Sequence, residues 1–478
     1  MKSKHNPILL AILSLVLASL ACQAMAGTET ASPQETQQEP QQVETQEITL
    51  TEVPPQPQVE PATVASQGAG ILCVGSGNGL SCLNENGWQI YTDENSDLPN
   101  NYLYAGAVCP DGQIAAAHIS GVVLFDGTSF KQLPEMDSSA SPDGIACDAD
   151  GGIWVAHFQG VSHYVNGQWT TYGPENLANG ESANELVYDV EVAPDGKVWV
   201  VTSRSVASFE NDTWTVFQEG QGFSESRFFN ALTLDARGRP WAAHSSGVDI
   251  FENGAWQSFE STDYNTPESI GIDSKGQAWL GTLTAGAYLF DGNTWTQYDR
   301  ASERLMSNHI RSISADSGGR VWLGTTHGLT VFDGANWQTF LMSNSGLGDN
   351  NIEFVIVTKD GPALPALEEK ENGSLTGTLE KADGTPLADA RVEICVETLA
   401  STFSGDTPCS DQPFSLSTTT DANGVFLIEN VPAGYYVIVA EAGDGSWAQL
   451  TDEFGISSEH SLIQAGDDHD IGTLTLEE

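Results

Sequence analysis

Three histidines, His118, His157 and His244, stand at one equivalent position, closing the stretches "AAAH", "WVAH" and "WAAH". Imidazoles brought together in space could hold zinc, which needs ligand nitrogens about 2.0–2.1 Å away. These three belong to units that are not all neighbours, so they cannot converge on one ion, and neither metal nor cofactor is expected. Their common position predicts instead that they line one face of the fold with Arg204 and His327, as a ligand-binding surface. No nucleophile elbow, phosphate-cradling glycine loop or HExxH is present, so no catalytic residues are assigned. Setting Cys22 aside leaves six cysteines. Cys73 and Cys82 fall opposite each other across a Ser76–Gly79 hairpin, and Cys395 and Cys409 bracket a later loop, so each pair is suited to a disulfide. Cys109 and Cys147 sit near the ends of neighbouring strands and form a third, less constrained pair. Without a CxxC, a metal or redox centre has no ligand set.

These side chains must be held by a repeated scaffold. "GGRVWLGTTHGLTVFDGANWQTF" at 318–340 returns as "GGIWVAHFQGVSHYVNGQW" (151–169), "GKVWVVTSRSVASFENDTW" (196–214), "GRPWAAHSSGVDIFENGAW" (238–256) and "GQAWLGTLTAGAYLFDGNTW" (276–295). Weaker copies occupy 112–130 and 72–88. The closing aromatics Trp88, Phe130, Trp169, Trp214, Trp256, Trp295 and Trp337 are spaced by 42, 39, 45, 42, 39 and 42 residues. Such a period, with several short β-rich runs per unit, predicts radial β repeats. Each unit parses into four strands, in the last copy Ile310–Asp316, Val321–Thr325, Leu329–Phe332 and Trp337–Phe340, with glycines at turns that demand positive φ. The first unit lacks an inner strand, and "DNNIEFVIVTKDG" (349–361) supplies one, so a ring of seven blades closes through its two chain ends. The closing Trp and the strand-two set Trp154, Trp199, Trp241, Trp279 and Trp322 are expected to pack between blades, and Trp256→Ala is expected to cost about 3–5 kcal/mol. Irregular loops at 92–101, 173–185, 218–228 and 299–308 share the face assigned to the histidines, where binding usually sits on a rigid scaffold.

The chain begins with Lys2, Lys4 and an apolar run from Ile8 to Ala21, an export signal too short to cross a bilayer. Ala18-Ser19-Leu20-Ala21-Cys22 resembles a bacterial lipobox, with Cys22 as the lipidated residue; Ala24-Met25-Ala26 offers an ordinary cleavage site as the alternative. Residues 23–69, rich in Gln, Glu, Pro and Thr, read as a disordered spacer. The formal net charge is −48, from 65 acidic and 17 basic residues, which disfavours nucleic acid and anionic lipid as partners. A membrane is therefore reached only through the lipid anchor of an extracytoplasmic bacterial protein.

"VWLGTTHGLTVFDG", "AWLGTLTAGAYLFDG" and the Leu-x-x-Asn at Leu98–Asn101, Leu305–Asn308 and Leu347–Asn350 resemble the two-component regulator propeller repeat. The resemblance covers about 70–361 and implies a seven-bladed β-propeller of the kind found in extracytoplasmic sensors; the kinase that usually follows is not encoded here. After a linker at 362–372, residues 373–478 resemble the carboxypeptidase regulatory-like, transthyretin-type domain, on "GSLTGTLEKADGTPLADARVEICVE" and Val431-Pro432-Ala433-Gly434, which implies a small non-catalytic β-sandwich. The expected protein is all-β: a monomeric, lipid-anchored recognition or sensor module whose partner is a protein or glycan at the cell surface. Two other readings stay open, a metal-dependent lyase or hydrolase on a propeller face, as in streptogramin lyases, and a structural or adhesion spacer.

Overall fold

In the computed structural model, residues 70–476 are described, except 120, 137–140, 178–185, 224–226, 262–265, 303, 359, 397–406, 411, 413, 442–445 and 451–460. The export signal, Cys22 and the 23–69 spacer lie outside the described residues, as do parts of the loops at 173–185, 218–228 and 299–308.

The repeat folds as antiparallel sheets of the kind that form propeller blades. Seven such sheets are present among the described residues, six of four strands and one of five. Sheet 1 spans 72–91, sheet 2 103–132, sheet 3 142–172, sheet 4 187–223, sheet 5 229–260, sheet 6 267–298 and sheet 7 310–340. Sheet 1 takes its inner strand from the far end of the repeat region: Ile352–Val357 pairs antiparallel with Leu72–Ser76. The inner strands run side by side in sequence order, and Ile352–Val357 lies between those of sheets 7 and 2. One short helix, Pro174–Leu177, interrupts the loop after sheet 3.

The strand-two tryptophans Trp154, Trp199, Trp241, Trp279 and Trp322 are buried. Each of Trp241, Trp279 and Trp322 directs its indole N–H at the Asp that also caps its first hairpin, Asp235, Asp273 and Asp316, at 3.3–3.4 Å. The closing tryptophans Trp88, Trp169, Trp214, Trp256, Trp295 and Trp337 are only half-buried. They form the outer layer of the same seam, in which aromatics of one sheet meet those of the next. Tyr172 meets Phe209 and Trp214, Phe217 meets Phe251 and Trp256, and Phe340 meets Trp88 across the closure. Trp169 and Trp295 add hydrogen bonds to the carbonyls of Pro134, just past sheet 2, and Glu260, at the end of sheet 5, at 2.8 and 3.1 Å.

The Leu-x-x-Asn motif has a mechanical role. The asparagine carboxamides of Asn101, Asn308 and Asn350 accept the backbone N–H of Asp93, Arg300 and Met342, closing the loop that leaves each outer strand. Their own carbonyls accept the N–H of Gly79, Gly286 and Gly328 in the turn of the preceding sheet, at 2.8, 2.9 and 2.6 Å. The motif leucines Leu98, Leu305 and Leu347 are buried beneath. Gly328 has φ 100°, and a Cβ there would meet the Phe340 carbonyl, so only glycine fits.

Three disulfides join Cys73 to Cys82, Cys109 to Cys147 and Cys395 to Cys409. The first staples sheet 1 in register, the second ties the inner strands of sheets 2 and 3 at their C-terminal ends, and the third lies beyond the repeats. Residues 373–476 form two further sheets, one of three strands and one of five, enclosing a core that includes Leu375, Val392, Phe426 and Ile438.

Outer hairpins use Asn-Gly turns at Asn166-Gly167 and Asn253-Gly254, with positive φ at both residues. Sheet 4 has Asn211-Asp212 in the same conformation, with φ 49° and 58°. Aspartate is strained where glycine is not. Asp212→Gly is therefore expected to raise stability by about 0.5–1 kcal/mol, read as an upward shift in Tm.

Candidate functional site

One face of the repeat region carries the strand 2–3 turns and the loops that lead into the inner strands. The opposite face carries the strand 1–2 hairpins, and there a cleft of about 270 Å³ lies between sheets 2 and 3, lined by residues including Asp111, Gln113 and Asp150.

His118, His157 and His244 occupy equivalent places at the loop-face end of strand two, but all three are buried. The imidazole of His157 accepts the Gln159 N–H through Nδ1 at 3.2 Å and meets Ser162 Oγ through Nε2 at 2.8 Å. His244 accepts the Ser246 N–H in the same way, and its Nε2 lies 3.5 Å from buried Asp249. His118 contacts Gln132 Oε1 at 3.0 Å. Other sheets place Ser76, Thr202 and Thr325 there, and each hydroxyl accepts the N–H two residues on. The position is thus a turn cap, filled by hydroxyl or imidazole, and the histidines lie beneath the face rather than on it. Burial pushes the His157 imidazole down to about 4 and lowers that of His118. Arg204 is exposed, with its guanidinium over the ring of Phe228 at 5.5 Å.

What faces the axis is a different set. Every one of the seven inner strands carries a β-bulge at its second residue, where the register with strand two slips. The bulged residues are Tyr104, Asp143, Tyr188, Asn230, Glu268, Arg311 and Glu353. A bulge re-aims a side chain out of the alternating pattern, and these seven are partly or fully exposed although the first residue of each of their strands is buried. One arc is satisfied internally. Arg311 pairs with Glu353, Tyr102 donates to Glu353 at 3.1 Å, and Glu268 meets His309 at 2.6 Å. On the other arc, Asp143, Tyr188 and Asn230 have no side-chain hydrogen bond among the described residues.

The segment 373–476 meets the loop face beside sheet 7. After the last inner strand, the connecting segment follows sheet 7: Arg320 Nη1 donates to the Pro362 carbonyl, and the N–H groups of Glu368 and Lys370 donate to Asn344 and Ser343 at the loop face. Phe414 then stacks on His327 at 6.5 Å, Arg300 donates to the Gln412 carbonyl, and the Asn350 amide abuts Gly434. His327, predicted to face ligand, is consequently buried at this joint, its imidazole pushed down to about 4 by burial and by the nearby Arg300 charge.

Below the mouth, carboxyls are enclosed by the inner strands. Asp143 is reached by solvent, yet the surrounding walls push its carboxyl up to about 7. Burial takes Asp189 and Asp349 up to about 7, and burial plus the Asp189 charge takes Glu191 to about 8. A carboxyl raised in the folded state gives stability that is full below its unfolded value and is lost as pH climbs through the folded one. The depressed histidines act oppositely, their contribution present above about 6.5 and lost as pH falls towards 4. Above pH 6.5 only the carboxyls operate, so Tm is expected to fall between pH 6.5 and about 8.5, and the double variant Asp189→Asn, Glu191→Gln is expected to flatten that fall. A Tm that rises across this interval would contradict the assignment.

The bulge is hard to single out from sequence because no one residue type holds its position: two Tyr, two Glu, one Asp, one Asn and one Arg fill the seven copies. A signal did exist: the residue one place after the start of each inner strand is polar or aromatic in all seven.

Residues 304–327 match the two component regulator propeller family. A comparison with curated proteins gives no match. Among solved structures, the chain is similar to the extracellular domain assigned to a hybrid two-component system of B. thetaiotaomicron, with 20% identity, TM-score 0.46, and 55% of this chain and 37% of that chain covered. It is also similar to virginiamycin B lyase from Staphylococcus aureus, with 12% identity, TM-score 0.44, and 54% and 92% covered. A third is PorZ, a surface component of the type-IX secretion system of Porphyromonas gingivalis, with 14% identity, TM-score 0.41, and 81% and 56% covered. The chain spans little more than a third of the length of the first of these. At such identities and TM-scores the three likenesses add no weight to any function.

Proposed function

We propose that this chain is an exported, lipid-anchored recognition module. In this reading seven blades close into one propeller through Ile352–Val357, Cys22 carries the anchor, and residues 373–478 form a sandwich of the carboxypeptidase regulatory-like type docked at the rim. The module acts as a non-catalytic sensor-type binder of a protein or glycan at the cell surface. The observation that supports it best is the ring of seven bulged residues: a periodic scaffold presents seven non-periodic side chains around one axis, on the face bearing the irregular loops.

Binding of the purified chain to a defined array of peptides and oligosaccharides tests this. Tyr188→Ala, at the mouth, is expected to weaken captured ligands about tenfold or more, whereas Asp111→Ala, on the opposite face, leaves them unchanged. Equal binding by both variants would remove the loop face from consideration, and chelator-sensitive turnover of an arrayed ligand would replace recognition with lyase or hydrolase chemistry.

A further inference from the structure

The mouth is asymmetric. Where sheets 6, 7 and 1 meet the axis, charges are paired, and the 373–476 segment contacts the turn and loops of sheet 7 beside them. Sheets 2 to 5 are left open, and here large apolar side chains stand in solvent: Phe158 is 60% exposed and Phe228 56%, with Ile119 beside the same mouth. Ile119 and Phe158 are in strand 2–3 turns, and Phe228 immediately precedes an inner strand, so all three rim one opening. Exposed aromatics gathered on one face mark a binding surface.

Inside that rim, consecutive sheets place Tyr104, Asp143 and Tyr188 at equivalent bulges, a carboxylate flanked by two phenol rings. Asp189 and Glu191 continue the line of carboxyls down the channel from Asp143. Among the described residues no cation pairs with these three, although Glu353 and Glu268 on the far arc are both matched. A carboxylate between aromatic faces suits an ammonium group, which gains both a charge-assisted hydrogen bond and attraction to the rings. The chain's surplus of acidic residues would steer a cation towards it.

We propose that the open arc takes the side-chain ammonium of a lysine in an extended, partly apolar peptide, with Asp143 as counter-ion, Tyr104 and Tyr188 as its walls, and Phe158 and Phe228 holding the flanking residues. This rests on the recognition reading above and gives it a ligand class. Asn230, at the next bulge, is free to bond the peptide backbone. The ionisable groups around Asp143 are Tyr188, whose phenol burial and then the Asp143 charge push up, and Asp189 and Glu191 below it. Arg204 stands above on the turn of sheet 4, and His157, uncharged at neutral pH, lies opposite Pro142 in the same sheet. Since burial pushes the Asp143 carboxyl up to about 7, the site is charged, and so competent, above neutral pH.

Calorimetric titration of the full chain with the capped pentapeptide Gly-Phe-Lys-Phe-Gly, and with the same peptide acetylated on the lysine nitrogen, provides the test. At pH 8 the free amine is expected to bind about tenfold or more tightly than the acetylated form, and to weaken about tenfold by pH 6 as Asp143 takes up its proton. Asp143→Asn is expected to abolish the preference without lowering Tm; Tyr188→Phe keeps the preference and Tyr188→Ala loses it. Equal binding of the two peptides, or an Asp143→Asn variant that still prefers the amine, overturns the proposal. If chitotetraose binds instead, and Tyr188→Ala abolishes that, the amine falls and the recognition face stands. If neither peptide nor sugar is held and the array detects no ligand sensitive to Tyr188→Ala, both fall.

Discussion

Phe354→Ala is expected to lower the free energy of unfolding by about 3–5 kcal/mol, among the largest effects of any single substitution in the repeat region. Phe354 is the third residue of the strand that completes sheet 1, it pairs with Gly75, and it is 5% exposed. Its ring is pressed against two glycines, Gly75 of its own sheet and Gly106 in the inner strand of sheet 2; a Cβ at either would run into it. The side chain thereby occupies volume that two neighbouring strands have vacated, and its loss leaves a cavity that rigid backbone on both sides cannot close. The cavity would open in the seam where the two ends of the repeat region meet. Val108→Ala, in a half-exposed position one sheet away, is expected to stay within about 0.5 kcal/mol and serves as the reference. Denaturant titrations of both variants give the comparison, and a loss below about 1 kcal/mol for Phe354→Ala would show that the C-terminal strand contributes little to holding the ring shut.

That closing strand was legible in the sequence because it copies an inner strand and is followed by no second strand. The four-strand parse of the last copy matched the structure to within a residue at each boundary, since glycine and Asp-Gly turns punctuate every hairpin there. The chemistry was harder to read. A histidine at the end of strand two has the same appearance whether it faces ligand or caps a turn, and only the alternation with Ser76, Thr202 and Thr325 at that place distinguishes the two. The bulged residues escape a reading based on recurrence because their side chains share no common type: the backbone irregularity repeats seven times while five different residue types occupy it. His327 lies in a strand 2–3 turn, but its burial depends on Phe414, 87 residues downstream and beyond the repeats, and no local pattern encodes that contact.

The two tryptophan layers, alike in sequence, are expected to separate in energy. Trp279 is 1% exposed, stacks on Tyr298 at 5.4 Å, and meets Phe332 and Trp337 of the next sheet at 5.7 and 6.2 Å. Its indole N–H reaches Asp273, which also accepts the N–H of Lys275 and Gln277 and so fixes the first hairpin. Trp279→Ala removes the packing of two sheets and one support of that turn, and should cost about 3–5 kcal/mol. Trp256, for which the same figure follows from sequence alone, is half-buried in the outer strand, so part of its surface already meets water and its truncation should cost about 1–3 kcal/mol. Pairing Trp279→Ala with Trp337→Ala in a double-mutant cycle should return a coupling of about 0.5–1.5 kcal/mol, the surplus of an edge-to-face pair over its buried area. Equal losses for Trp279→Ala and Trp256→Ala, or strict additivity of the pair, would mean that the seam between sheets is held by its aliphatic residues rather than by this aromatic ladder, and the 42-residue spacing of the indoles would then need another cause.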